Sequence, residues 1–252
     1  MADSEQEASG ATQTVAPSEI PEQSLGLLRA AHPRQAVLTA AAVGIAAFVS
    51  GRPAREAAVA GLAVLVVQAI LGLVNDIRDA DRDRATGVTG KPIAEGHLPA
   101  GNASFVAGCL ALVAIPLSLQ NGAVAAGALF GYLVAGLLSA TALRRSVLSW
   151  LPWALSFGLL PAFLAYGGWA GGMHGSPPTY AMTGVAALLG IGVHFLTALP
   201  DLVADNKAGV RHLPLRIALK IGAPRLLFLA GAYTAATVVG LLLVAFGSGL
   251  RQ

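Results

Sequence analysis

The sequence predicts an all-α, polytopic transmembrane helical bundle. Three observations carry this. First, 55% of the 252 residues are hydrophobic and only 12% are charged, with a mean hydropathy of +0.68. A soluble domain is about 45–50% apolar and about 25% charged, so this chain has too little charge to cover a water-facing surface. Second, the apolar residues form continuous runs rather than alternating ones, which favours helices over a barrel. Third, the basic residues fall in the loops between those runs, as membrane topology demands. The net charge of +3 and pI near 9.4 therefore do not indicate nucleic-acid binding. Cys109 is the single cysteine, so a disulfide framework is excluded.

Seven runs read as spans: 35–51, 56–74, 102–119, 122–143, 147–166, 179–199 and 224–247. Each approaches the roughly 20 residues needed to cross about 30 Å of hydrocarbon. Short helices are expected around 24–32 and over 212–221. Residues 1–24 carry Asp3, Glu5, Glu7, Glu19 and Glu22 and read as a disordered acidic tail, followed by one helical domain over 25–252. The tail lacks a basic segment leading into an apolar stretch, so it does not read as a signal peptide. With seven spans, thirteen Lys and Arg fall on one side and three on the other, placing the first side in the cytoplasm. Ala-rich composition points to a high-GC bacterial gene. Small residues inside the spans, such as Gly127 and Gly131, read as close helix packing.

The acidic residues carry the functional information. Eight of the thirteen lie beyond the tail, and six of those form two short clusters: Asp76, Asp79, Asp81 and Asp83, then Asp201 and Asp205. If the second helix continues, Asp76, Asp79 and Asp83 share one face, with Asp81 and Arg82 pointing elsewhere. Asp201 and Asp205, at i and i+4, share a face at the end of the sixth span. Clustered carboxylates repel unless a cation sits among them. Hard oxygen ligands suit Mg2+, which typically joins carboxylates to substrate phosphates. Lys91, Arg144, Arg145, Lys207 and Arg211 are candidate phosphate contacts. A solvated helix end with surface pairing of Asp76 to Arg82 or Arg84 is the plainer alternative for either cluster alone.

Asn75-Asp76-x-x-Asp79-x-x-x-Asp83 with Lys91-Pro92-Ile-Ala-Glu-Gly96 resembles the first signature of UbiA-type membrane prenyltransferases. Asp201-x-x-x-Asp205-x-x-x-Gly209 with Leu213-Pro214 resembles the second. Leu143-Arg144-Arg145 ahead of Trp150-Leu-Pro-Trp153 resembles the basic segment after the fourth helix. The likeness covers residues 25–247. It implies a helical bundle of up to nine spans around a central cavity open to lipid. It also implies Mg2+ held by Asp76, Asp79, Asp83, Asp201 and Asp205, with Asn75 beside them, and an isoprenyl diphosphate substrate. Lys91, Arg145 and Lys207 would contact phosphate. Departures are the span count, His212 where the family often has Thr, and the extra Asp81. Only one clear span follows the second motif, so a partner subunit or homodimer could close the tunnel wall.

The expected reaction is Mg2+-dependent transfer of the isoprenyl group to an aromatic or other lipid-soluble acceptor, with Asp76, Asp79 and Asp201 central to catalysis and Asp79 a candidate proton acceptor. A lipid-embedded cavity shields the carbocation from water. Trp150, Trp153, Phe157 and Tyr166 are candidate cation–π partners, with interface anchoring or packing as the plainer reading. His194 reads as a helix-packing hydrogen-bonder that could face the cavity; His32, His97 and His174 read as loop residues. Two other readings remain open: a terpene cyclase of the same family, needing no acceptor, and a divalent-cation transporter, which the neighbouring Arg144 and Arg145 oppose.

Overall fold

The computed structural model describes residues 19–169 and 177–247, and the described residues form ten α-helices and no strand. In chain order these are α1 (Glu19–Ala30), α2 (Pro33–Val49), α3 (Ala54–Thr86), α4 (Ala100–Leu119), α5 (Ala123–Ala140), α6 (Leu151–Ala165), α7 (Tyr180–Ala198), α8 (Leu202–Lys207), α9 (Leu213–Ile221) and α10 (Ala223–Gly247). The seven expected spans correspond to α2, α3, α4, α5, α6 with its preceding turn, α7 and α10. Six of them are long and apolar enough to cross a membrane, and α2, at 17 residues, is a shorter apolar helix. α1 begins at Glu19, inside the expected tail, and residues 1–18 of that tail lie outside the described residues. So do His174 and most of the loop expected at 167–178.

α3 is the central rod. It has no Pro, and no Gly between Asp76 and Thr86, and runs 33 residues, about 50 Å at 1.5 Å per residue. It therefore extends well past the expected limit of 74. Gly87 stops it in the left-handed conformation (φ 67°), where glycine meets no Cβ penalty, with the Val88 amide donating to the Asp83 carbonyl. α2 lays Ala36, Ala40, Val43 and Ala47 against α3, and the Cα of Gly61 approaches Gly44 closely enough that any added Cβ would press on the Ala40 carbonyl. These two helices, with α4, α5 and Phe163 of α6, enclose the main apolar core. Small residues at the contacts let the backbones close on each other, the usual substitute in lipid for a hydrophobic driving force.

A 3-10 turn at Val147–Trp150, capped by Ser146, leads into α6, which packs between α5 and α7. α10 packs on α7 and α9, where Gly192 of α7 admits Thr234. Two connections then shape the end of the bundle that carries the acid motifs. Residues 87–99 fold back under Ile93 and Leu98, which are buried with Ala30, Leu73 and Ala103. The chain after α7 breaks at Pro200, whose ring denies the helix a donor, so α8 starts afresh with Asp201 as its N-cap.

Candidate active site

Continuation of α3 puts Asp76, Asp79 and Asp83 on one face, as the spacing predicts, and all three are buried. Asp205 is also buried and comes to the same place from α8. Asp201 and Asp205 keep the expected one-turn relation, the Asp205 amide donating to the Asp201 carbonyl at 2.8 Å, but on α8 beyond the break at Pro200 rather than on the end of the span. Asp201 stands exposed at the rim, while Asp205 turns inward. Both line a cavity of about 470 Å³ that also takes in Asn75, Lys91 and Arg144.

Each buried carboxylate has a cation or an imidazole on it. Asp76 Oδ1 receives Lys91 Nζ at 2.6 Å and His32 Nε2 at 2.8 Å. Asp79 pairs with Arg144 through Oδ1 and with Arg82 through Oδ2 at 3.2 Å. Arg82 also donates to Asp83 Oδ1 at 2.8 Å and to Asp205 Oδ1 at 2.5 Å. The second oxygen of Asp205 accepts from His212 Nε2 at 2.9 Å. The tautomer of His212 is fixed by its other nitrogen: Nδ1 accepts the Leu215 amide and caps α9, so the proton is on Nε2. Burial alone would raise the Asp205 carboxyl, but the His212 hydrogen bond and the charges of Arg82 and Arg144 outweigh it. Asp205 is held below the usual carboxylate range. Burial lowers the Arg144 guanidinium, opposed by Asp205 and Asp201.

Three of the expected phosphate contacts stand apart. Arg145 forms no ion pair among the described residues, Lys207 is exposed on α8, and Arg211 is exposed and bonded to Asn206 Oδ1 at 3.1 Å. Asp81, the extra acid, pairs with Arg84 in solvent. Arg82 corrects the helical-wheel expectation that it points elsewhere: its Cα does lie off the Asp79–Asp83 face, yet its long arm folds back across it. Asp79 carries Arg144 on one oxygen and Arg82 on the other and is not a cavity-wall residue. His32 was legible only as a loop residue and His212 only as a departure from a motif. No local spacing links either to its carboxylate.

Deeper in the cavity the walls become apolar, with Leu71, Trp153 and Phe157. Trp150 and Tyr166 are not among the lining residues; Tyr166 packs against the main core. Two polar pairs face in. Gln68 Nε2 donates to the Tyr132 hydroxyl at 2.6 Å, and Ser149 Oγ lies 3.0 Å from His194 Nε2. His194 also lies against the Trp153 ring, with centroids 5.6 Å apart.

Among the described residues no three His, Cys, Asp or Glu side chains stand close enough to hold an ion as arranged. The donor set nevertheless fits a Mg2+ ion shared with a phosphate ligand. The oxygens are hard, they come from several separate carboxylates, and Mg2+ is usually held by one or two of these plus phosphate rather than by a full protein cage. Four buried carboxylates face three permanent cations, Lys91, Arg82 and Arg144, leaving the pocket short of positive charge.

Fold and site together define a multi-pass helical membrane protein with a charge-dense mouth above a greasy chamber. The UbiA prenyltransferase family model matches residues 32–251, and the chain belongs to that family. Among solved structures it is similar to a UbiA homologue from Archaeoglobus fulgidus bound to GPP and Mg2+, with a TM-score of 0.66 and 18% identity over 85% of this chain and 76% of that one. The same homologue bound to Cd2+ gives 0.64 and 18% over 87% and 79%. A structure of digeranylgeranylglyceryl phosphate synthase gives 0.60 and 19% over 90% and 79%. These likenesses establish a shared fold. No curated protein matches the chain in sequence.

Proposed function

We propose that the protein transfers an isoprenyl group from an allylic prenyl diphosphate to an aromatic or other lipid-soluble acceptor, with Mg2+ as cofactor. The observation that carries this is the convergence of the two Asp motifs across a single guanidinium, at the mouth of a cavity with aromatic walls. Solved relatives of the same fold bound to GPP or DMAPP with Mg2+ support the same reading.

The reaction breaks the allylic C–O bond, the electron pair leaving with the diphosphate; an electron pair of the acceptor forms the new bond to the allylic carbon, and the proton the acceptor loses passes to the released diphosphate or to water. Bound Mg2+ supplies charge that stabilises the departing diphosphate. Asp76, Asp79, Asp83, Asp201 and Asp205 would hold it, with Asn75 beside them. Lys91 and Arg144 lie at the cavity mouth and take up leaving-group charge, Arg144 bidentately. Arg145, Lys207 and Arg211 form an outer cationic rim that attracts the polyanion. Leu71, Trp153 and Phe157 exclude water from the carbocation, and the two ring faces stabilise it. The Gln68–Tyr132 and Ser149–His194 pairs are polar groups on the inner wall that orient an acceptor. The acid motifs lie on the cytoplasmic side of a bacterial cell membrane, so that the diphosphate head meets water while its tail enters lipid.

A panel of prenyl diphosphates, offered with a native lipid extract and Mg2+, tests this by mass spectrometry of the products. A prenylated acceptor with equimolar diphosphate release is expected. A cyclic hydrocarbon or alcohol formed without acceptor would instead make the protein a cyclase. Metal flux into vesicles with no diphosphate released would make it a transporter.

A further inference from the structure

We propose that Arg82 is a built-in counter-cation that competes with the divalent metal for Asp79, Asp83 and Asp205, so that metal binds tightly only together with diphosphate. The proposal rests on the metal–diphosphate reading above.

Arg82 lies between Asp79 and Asp83 in sequence, one turn on from Asp79 but off the face that Asp76, Asp79 and Asp83 share. Its two neighbours in kind stay outside: Arg78 is exposed, and Arg84 reaches outward to Asp81. Arg82 alone turns in. Its side chain is only 15% exposed, and its donors reach three carboxylates: Nε and one terminal nitrogen to Asp83, that same nitrogen to Asp79, the other to Asp205. It is thus the direct tie between the two motifs, which are 123 residues apart in this pair. A guanidinium cannot lose its proton in a protein, so the tie is permanently cationic.

Physics requires such a group. Three carboxylates brought together in a buried pocket stay ionised only with positive charge among them. Arg82 supplies that charge, and it uses the oxygens a metal needs. Bare Mg2+ must therefore displace a fitted guanidinium to reach Asp79, Asp83 and Asp205. An arriving diphosphate changes the balance, because it offers Arg82 new anionic oxygens and frees the carboxylates for the metal. Metal and diphosphate are then positively coupled through Arg82, and by linkage each raises the other's affinity equally.

The test uses full-length protein in detergent, stripped with chelator, and titrated with Mn2+ followed by its electron paramagnetic resonance, without prenyl substrate. Wild type should bind Mn2+ weakly, and inorganic diphosphate should tighten it. Arg82→Gln should bind bare Mn2+ about tenfold tighter or more, a shift of about 1.4 kcal/mol. It should also lose most of the tightening by diphosphate. Its melting temperature should drop in chelator and recover with Mg2+, more than wild type responds. Arg82→Lys keeps the charge without the fork and should fall between; it serves alone if the glutamine variant does not fold. Bare Mn2+ binding no tighter in either variant, or wild-type binding indifferent to inorganic diphosphate, overturns the proposal. Failure of the enzymatic reading looks different: wild type turns over no prenyl diphosphate whatever the Mn2+ titrations show.

Discussion

His32 Nε2 lies 2.8 Å from Asp76 Oδ1, although the two are 44 residues apart. Gly72, one turn before Asp76 on α3, makes this contact possible. The elbow between α1 and α2 rests on Gly72 so closely that an added Cβ would lie 2.7 Å from the Ala31 carbonyl carbon and oxygen. His32 itself holds the left-handed backbone (φ 50°), alone among the described non-glycine residues, a conformation histidine tolerates better than most. Such strain persists where surrounding structure enforces it.

Gly72→Ala should therefore lift the elbow and separate His32 from Asp76. We expect KM for prenyl diphosphate to rise by about tenfold, with a lower melting temperature. Gly131→Ala is the control: its added Cβ meets only the Leu159 side chain, which can rotate away, and neither residue lines the cavity. Equal effects of the two variants would show that the elbow does not position Asp76.

Removing carboxylates separates folding from chemistry. Asp76→Ala or Asp201→Ala should reduce turnover by about 100-fold or more while the protein still inserts. Asp201, exposed at the rim, should leave the melting temperature unchanged, whereas Asp205→Ala, which strands Arg82 and His212, should lower it. Activity near wild type in the Asp76 or Asp201 variant would count heavily against the mechanism.

Asp205 also predicts a pH dependence. Its folded-state carboxyl lies below the ordinary value, so over that interval the unfolded chain binds more protons. Its contribution to stability is complete above about pH 4 and is lost as pH falls further. Asp205→Asn should flatten the acid limb of a stability profile below about pH 4. A profile identical to wild type there would show that the carboxylate is not held in its ionised form by the fold.

The inner polar pairs should govern the acceptor rather than the diphosphate. His194→Phe keeps the ring packing with Trp153 but loses the Ser149 contact. Diphosphate release in the presence of acceptor should fall, with binding of prenyl diphosphate unchanged by calorimetry. Weakened prenyl diphosphate binding would move His194 to the other substrate.

At the opposite end of α3, Arg52 reaches across to the carbonyls of Phe163 and Leu164 and ties off the C-terminus of α6. Nearby, Arg55 stacks 4.5 Å over the Trp169 ring and Glu56 accepts the Trp169 amide. Arg52→Ala should cost about 1–3 kcal/mol of stability, read as a lower melting temperature, with kcat unaffected below the transition.

Much of this was legible because membrane helices announce themselves. All seven runs become helices, and the i, i+3, i+7 spacing of Asp76, Asp79 and Asp83 survives folding because nothing breaks α3 before Gly87. The i, i+4 spacing of Asp201 and Asp205 also survives, but Pro200 moves the pair off the end of α7 and onto α8. Partners joined only in three dimensions escaped the sequence altogether. His32 reaches Asp76 through an elbow, and His212 reaches Asp205 from a helix cap. Arg82 escaped for another reason. A wheel diagram tracks Cα directions, and a side chain with four torsions is not bound by them.

The two motifs also differ in mechanical character. One is borne on an unbroken 33-residue shaft seated in the core, the other on a six-residue helix flanked by a proline break and Gly209. Shifting the first means bending the shaft; shifting the second means rotating a few backbone bonds. Accommodation of a bulky ligand thus falls to the second, which acts as the jaw against a fixed anvil.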